Sequence, residues 1–207
     1  MRHRRSWNWL LYPAVALGVL VVVGATGMGA FFRPYNVPAR SMLPNLLVGD
    51  HLWASKNYYV GHAPERGEIA LFLVQDGTVF IKRVIGLPGD TIEMKAGRLW
   101  INGAEVDRQE EGAIEDQEFG GKLMQYRETL PGGVSYAILE ESDSSFMDVF
   151  GPFQVPADSY FVMGDNRDNS KDSRVPEFGA VPRARFIDRP AIIYYSPELS
   201  RIGSRIN

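Results

Sequence analysis

The 207-residue chain has no cysteine. That excludes thiol nucleophiles, thiolate metal sites and disulfides, and it fits an oxidising compartment as well as any other. Histidine is scarce: His3, His51 and His62 are the only three, and each sits in ordinary surroundings. The G-x-S-x-G elbow, H-E-x-x-H and the Walker motif are missing. No lysine- or arginine-rich block suggests nucleic acid as a partner. Internal repeats and low-complexity tracts are absent as well. Nor does any stretch after Arg33 hold a helical period for three turns.

Acidic residues are missing from the N-terminal region, where Arg2, Arg4 and Arg5 stand before an apolar run. Those three are part of 22 Lys and Arg, so the remainder carries 19 basic residues against all 25 acidic ones. No charge occurs between Ser6 and Phe32, and Leu10 to Phe32 is 23 residues long. About 20 residues of helix cross a bilayer core, so 10–32 is expected to be a transmembrane helix. Trp7, Trp9, Tyr12, Phe31 and Phe32 stand where interfacial anchors would. The arginines place 1–9 in the cytoplasm and 33–207 outside it. A cleaved signal peptide is the alternative. Its apolar core normally spans only about 7–15 residues, although Gly27, Gly29 and Ala30 would suit a cleavage site.

Beyond Arg33 the pattern is β. "EIALFLV" and "TVFIKRVIGL" are strand-like runs separated by the turn signal "QDG". Asn102-Gly103 and Pro131-Gly132-Gly133 each mark a hairpin. "DSYFVMGD" and "RPAIIYYS" add two more strands. The expectation is a mainly β, antiparallel, partly closed barrel over 33–207, with a smaller inserted β region over 91–160. Asp107 to Gly121 is acidic and weakly apolar, an expected exposed insertion.

Ser41, in "VPARSMLPNLLVGD", is a hydroxyl needing a base. Alternation along "TVFIKRVIGLPGD" puts Phe80, Lys82 and Val84 on one face and Ile81, Arg83 and Ile85 on the other. An ammonium on an apolar face loses hydration, so its pKa falls and the neutral amine can take a serine proton. On this segment alone, a lysine snorkelling to solvent along a strand edge is the more ordinary reading. "MGDNRDNSKDSR" packs Asp165, Asp168, Asp172, Arg167 and Arg174 into one loop. A calcium loop fails there, because Arg167 takes the third ligand position from Asp165. Counting from Asp168 finds neither the glycine nor the glutamate that such a loop needs. A plain solvated turn remains open.

Taken together, "SMLPNLLVGD", "FIKRVIGLPGD" and "GDNRDNSKDSR" resemble the boxes of bacterial signal peptidase I, or leader peptidase, in that family's order and behind a membrane anchor. "RGEIALF" and "ETLPGGVSY" extend the similarity. The resemblance implies a membrane-anchored serine–lysine endopeptidase that removes signal peptides from exported preproteins. Its catalytic domain would lie on the extracytoplasmic side of the cytoplasmic membrane. It would cut after small residues of the Ala-X-Ala type and need no metal or cofactor. Ser41 then matches the nucleophile and Lys82 the general base. Ser170 matches a hydroxyl orienting that lysine. Asp172 and Arg174 match a supporting ion pair, with Arg83 and Asp165 beside them. Tyr35, Val37, Met42, Leu46, Phe80 and Ile81 match positions lining shallow substrate pockets. The preproteins and the lipid bilayer are the implied partners.

The chain departs from the family where a small polar residue and glycine usually precede the nucleophile, having Ala39 and Arg40. It has Asn45 where threonine is common, Phe80 where tyrosine is usual, and one span where many relatives have two. Competing readings are a dedicated pilin-processing relative, a self-cleaving repressor peptidase, and a scaffold with a degenerate site. The span argues against the second, and the intact Ser41 and Lys82 against the third.

Overall fold

The computed structural model describes residues 29–116, 120–142 and 144–206. Apart from its last four residues, the expected span at 10–32 lies outside these. Among the described residues no helix is long and apolar enough to cross a membrane.

The described chain is mainly β. Seven strands form one antiparallel sheet: β1 (Phe32–Asn36), β2 (His51–Ser55), β14 (Phe186–Tyr195), β3 (Ile69–Leu73), β4 (Val79–Gly86), β12 (Ser159–Met163) and β13 (Val181–Pro182), in that spatial order. A four-stranded sheet has the order β11 (Phe150–Gln154), β5 (Thr91–Lys95), β6 (Arg98–Ile101), β7 (Ala104–Glu105). A three-stranded one runs β10 (Ser135–Glu140), β9 (Lys122–Thr129), β8 (Asp107–Glu115). The α-helix α1 (Tyr58–Gly61), between β2 and β3, is a single turn.

The turn residues act as their chemistry requires. Asn102 and Gly103 both adopt positive φ (55° and 79°), which a two-residue hairpin with the right twist needs, and they join β6 to β7. Around Pro131-Gly132-Gly133, Leu130 N–H donates to Val134 C=O at 2.9 Å and β9 pairs with β10. The acidic stretch from Asp107 is exposed along most of its length, yet it is regular strand: β8 pairs with β9 from Asp107↔Thr129 to Glu115↔Lys122.

Side-chain alternation divides the large sheet between cores. Ile85, Phe161 and Met163 face Ile92, Met94, Leu99, Ile101 and Ile138 from the two smaller sheets. Ala70, Phe72, Val84, Tyr160 and Val162 form a second cluster with Phe186. A third gathers Leu52, Ala54, Ile69 and Leu71 under Val37, Met42 and Leu46. That third cluster is the floor of the segment carrying Ser41.

Candidate active site

The segment between β1 and β2 is closed at its base. Val37 N–H donates to Asp50 C=O (2.8 Å) and Gly49 N–H to Val37 C=O (2.9 Å). Within it, Met42 and Leu46 are fully buried, and this pulls the backbone into a 3₁₀ turn at Arg40–Met42. Leu43 N–H donates to Arg40 C=O (3.0 Å) and Leu46 N–H to Met42 C=O (2.8 Å). If this stretch were extended, Ala39 and Ser41 would share one face. Only Ala39 is extended (φ −132°, ψ 155°), and the chain turns immediately after it.

Lys82, in β4, is 3% exposed, so it does not snorkel. Its cross-strand partner on β3 is Ala70, whose small side chain leaves room for the amine. Lys82 Nζ and Ser41 Oγ are hydrogen-bonded at 2.5 Å. Burial pushes the Lys82 amine down to about 8, against the opposing pull of Asp172 and Asp165 and with help from Arg174. Both carboxylates are engaged by bidentate arginine pairs, which weakens their hold on a proton at Lys82. Arg83 donates to Asp165 from Nε (2.8 Å) and Nη2 (2.9 Å). Arg174 donates to Asp172 from Nε and Nη2, both at 2.9 Å, and Gly164 N–H adds a third bond at 3.0 Å. Burial alone would raise the Asp172 carboxyl; Arg174 and Gly164 N–H outweigh it and hold the carboxyl below the usual range.

The loop after β12 lies directly on the nucleophile turn. Asn166 N–H donates to Ser41 C=O (3.1 Å) and its Nδ2 to Arg40 C=O (3.3 Å). A Cβ at Gly164 would stand 2.3 Å from Ser170 Oγ and 2.5 Å from Ser41 O, so only glycine allows this approach.

Ser170 does not occupy the expected relation to Lys82. Its Oγ is buried and close enough to Asp172 to help hold that carboxyl low. It satisfies hydrogen-bond geometry with no group among the described residues, Lys82 Nζ included.

Of the expected pocket residues, Val37, Met42 and Leu46 are buried in one cluster, with Tyr35 and Ile81 packed on it. The Tyr35 hydroxyl donates to Asp188 (2.7 Å). Phe80 belongs to another cluster, packed with Phe72 and Phe178 at a cavity of about 290 Å³, and its ring centroid is 5.8 Å from Lys82 Nζ. Neither described histidine is bonded to Ser41. His51 packs against Tyr194 and Tyr195, and His62 stacks on Tyr58.

Four residues around the site are not evident from the motifs. Asn45 Nδ2 donates to Asp165 and to Ala137 C=O, both at 2.7 Å, tying the nucleophile segment to the loop and to β10. Asn166 holds the nucleophile turn. Arg167, fully buried, is paired through both Nη atoms with Glu128 of β9, whose carboxylate also accepts from Tyr136 Oη (2.9 Å). For Asn166 and Arg167 the only sequence signal is the polar density of 163–174, which an exposed turn would also have; Asn45 and Glu128 lie outside that stretch.

A hydroxyl against a buried, depressed amine has the parts of an activated nucleophile and its base. Comparison with known proteins gives the family. Residues 6–195 match the family model described as signal peptidase, peptidase S26. Signal peptidase I of Rickettsia bellii (strain OSU 85-389) is 30% identical over 225 residues, 95% of this chain and 74% of the relative. Signal peptidase I of Rickettsia massiliae (strain Mtu5) is 34% identical over 196 residues, 81% of this chain and 73% of the relative. A crystal structure of a signal peptidase I from Enterococcus faecalis V583 is 25% identical, covering 62% of this chain and 97% of that one, with a TM-score of 0.38. The chain belongs to the signal peptidase family, peptidase S26, and is a peptidase.

Proposed function

We propose that this protein removes signal peptides from exported preproteins by a Ser41–Lys82 dyad, cutting after small residues. The 2.5 Å contact between Lys82 Nζ and Ser41 Oγ carries the reading. With the amine neutral, the hydroxyl is the donor in that contact. Lys82 takes the proton as Oγ bonds to the scissile carbonyl carbon, and the carbonyl electrons move onto its oxygen. When that intermediate collapses, the C–N bond breaks, and Lys82 returns the proton to the departing amine. Lys82 then deprotonates a water that attacks the acyl ester; as that second intermediate collapses the C–Oγ bond breaks, Lys82 returns the proton to Oγ, and the signal peptide is released. The buried floor of Val37, Met42 and Leu46 supports a preference for small side chains, since a larger one would have to displace packed groups.

We place the catalytic domain on the extracytoplasmic face, held by residues 10–32. Eight residues separate Arg33 from Ser41, and extended chain of that length spans at most about 26–29 Å, so the nucleophile stays near the bilayer.

The test is to incubate the detergent-solubilised protein with a preprotein and sequence the new N-terminus of the product. Ser41→Ala and Lys82→Met are each expected to abolish cleavage. The double variant should be little worse than either, because the two act as a unit. Cleavage by Lys82→Met at the normal rate would remove the mechanism.

A further inference from the structure

Arg40 stands immediately before the proposed nucleophile, and its side chain turns to a partner remote in sequence. Its Nη2 is 2.8 Å from Asp116 Oδ1, and the two side chains are only 13% and 6% exposed. Asp116 directly follows β8. There its N–H donates to Gly121 C=O (3.1 Å) and its C=O accepts from Gly120 N–H (3.0 Å). β8 itself is largely exposed and contributes no residue to the three buried apolar clusters. On β9, Leu123 is buried and Tyr126 packs on an apolar cluster, but the apolar packing of β8 gives no reason for the residue after it to bury a carboxylate against Arg40.

We propose that Asp116 and Arg40 are positioning residues for Ser41, and that the β8–β9 arm is a brace holding the nucleophile turn from its outer side. The inner side is held by Asn166, which bonds the carbonyls of Arg40 and Ser41. Arg40 is thus fixed by its backbone to one loop and by its guanidinium to another. The residue before the nucleophile can then not swing away from Lys82. Arg40 is not among the groups that set the proton affinity of Lys82. The brace accordingly acts through geometry and leaves the charge state of the base alone.

This inference rests on Ser41 being the nucleophile, and the experiment separates the two. In the full-length, detergent-solubilised protein acting on a preprotein, Asp116→Ala should lower kcat about 10-fold, the scale of a small misplacement of a reacting group. KM and the pH midpoint of activity should stay unchanged. Asp116→Glu, which keeps the charge, should retain most of the rate. Exchanging the partners (Arg40→Asp with Asp116→Arg) should recover most of what either alanine substitution loses, as a coupled pair does. Should Asp116→Ala reduce the amount of folded protein, Asp116→Asn repeats the measurement with the shape kept. A kcat within about twofold of the parent for Asp116→Ala or Asp116→Asn overturns the brace, and so does an exchanged pair whose losses simply multiply. A shifted pH midpoint would overturn it too, because the pair would then be acting on Lys82. Continued cleavage by Ser41→Ala would instead remove the reading of Ser41 on which the brace depends.

Discussion

Lys82 carries a cost along with its chemistry. In the proposed dyad the amine must be neutral to accept the Ser41 proton, and burial lowers its folded pKa to about 8. Activity should therefore rise with pH through about 8, and the midpoint should persist in His51→Ala and His62→Ala variants. A profile that collapses with either histidine would place the base elsewhere. The same depression has a sign for stability. The folded value lies below the ordinary 10.5, so between the two the unfolded chain binds the proton more tightly. Stability then rises with pH across that window, and below it the fold bears a penalty of about 3 kcal/mol. Lys82→Met removes that penalty. It should be inactive yet melt at a higher temperature than the parent at pH 7, with the gap closing as pH approaches 10.5. A lower melting temperature at pH 7 would contradict a buried, disfavoured ammonium. Ala39 supplies a second test at this scale. The tetrahedral oxyanion needs donors where its charge develops, and Ala39 has no hydroxyl. It is exposed and sits directly before the 3₁₀ turn. A serine there would have its Oγ beside the N-terminus of that turn. Ala39→Ser should raise kcat by up to ~10²-fold, the usual worth of one such donor. A rate that stays flat in the folded variant would mean that another amide or water already fills the role.

At the scale of elements, the loop after β12 is built from ionic pairs more than from apolar packing. Arg167 and Glu128 are both about 1% exposed and lie 39 positions apart. Removing one member of such a pair strands a charge in low dielectric, whereas replacing both with apolar groups removes the problem. Glu128→Leu alone should destabilise by about 3–5 kcal/mol in denaturant unfolding, and Glu128→Leu with Arg167→Met by much less. Equal losses would show that the pair is not isolated from solvent. These pairs also mark the limit of what the sequence discloses. Asp172 and Arg174 are two residues apart, and their pairing is legible as a local motif. The hairpins at Asn102-Gly103 and Pro131-Gly132-Gly133 are legible because turn chemistry is local. Lys82 shows as an oddity of alternation, but its burial rests on Ala70 across the sheet and on the loop above it. Glu128, Asn45 and Asp116 carry no such signal. Each meets its partner only through the tertiary fold, 39 positions away for Glu128 and 120 for Asn45 with Asp165. The 3₁₀ turn at Arg40–Met42 is not legible for the same reason: it follows the burial of Met42 and Leu46 in the tertiary fold.

At the scale of the molecule, three charges stand before the apolar run and a net acidic body follows it. That asymmetry predicts a cytoplasmic N-terminus. In cells with an opened outer envelope, added protease should digest the part after Phe32 and spare the first residues. Protection of the large part would mean the opposite orientation. β1 begins at Phe32 and is bonded to β2 from Phe32↔Ser55 onward, so the body joins the predicted span through strand and not through a slack linker. On the proposed function, Ser41 would then be held at a nearly fixed height above the bilayer, where a signal peptide still anchored in the lipid would present its scissile bond. Sharing a surface makes the encounter effectively intramolecular, with local concentrations reaching about the millimolar range. The full chain reconstituted with a preprotein in the same vesicles should cleave at a rate indifferent to dilution of those vesicles. Residues 29–207 added from solution should slow in proportion to dilution on the same substrate, while both forms cut a soluble peptide with equal kcat. If the reconstituted enzyme also slowed on dilution, the span would not be setting the geometry of the encounter.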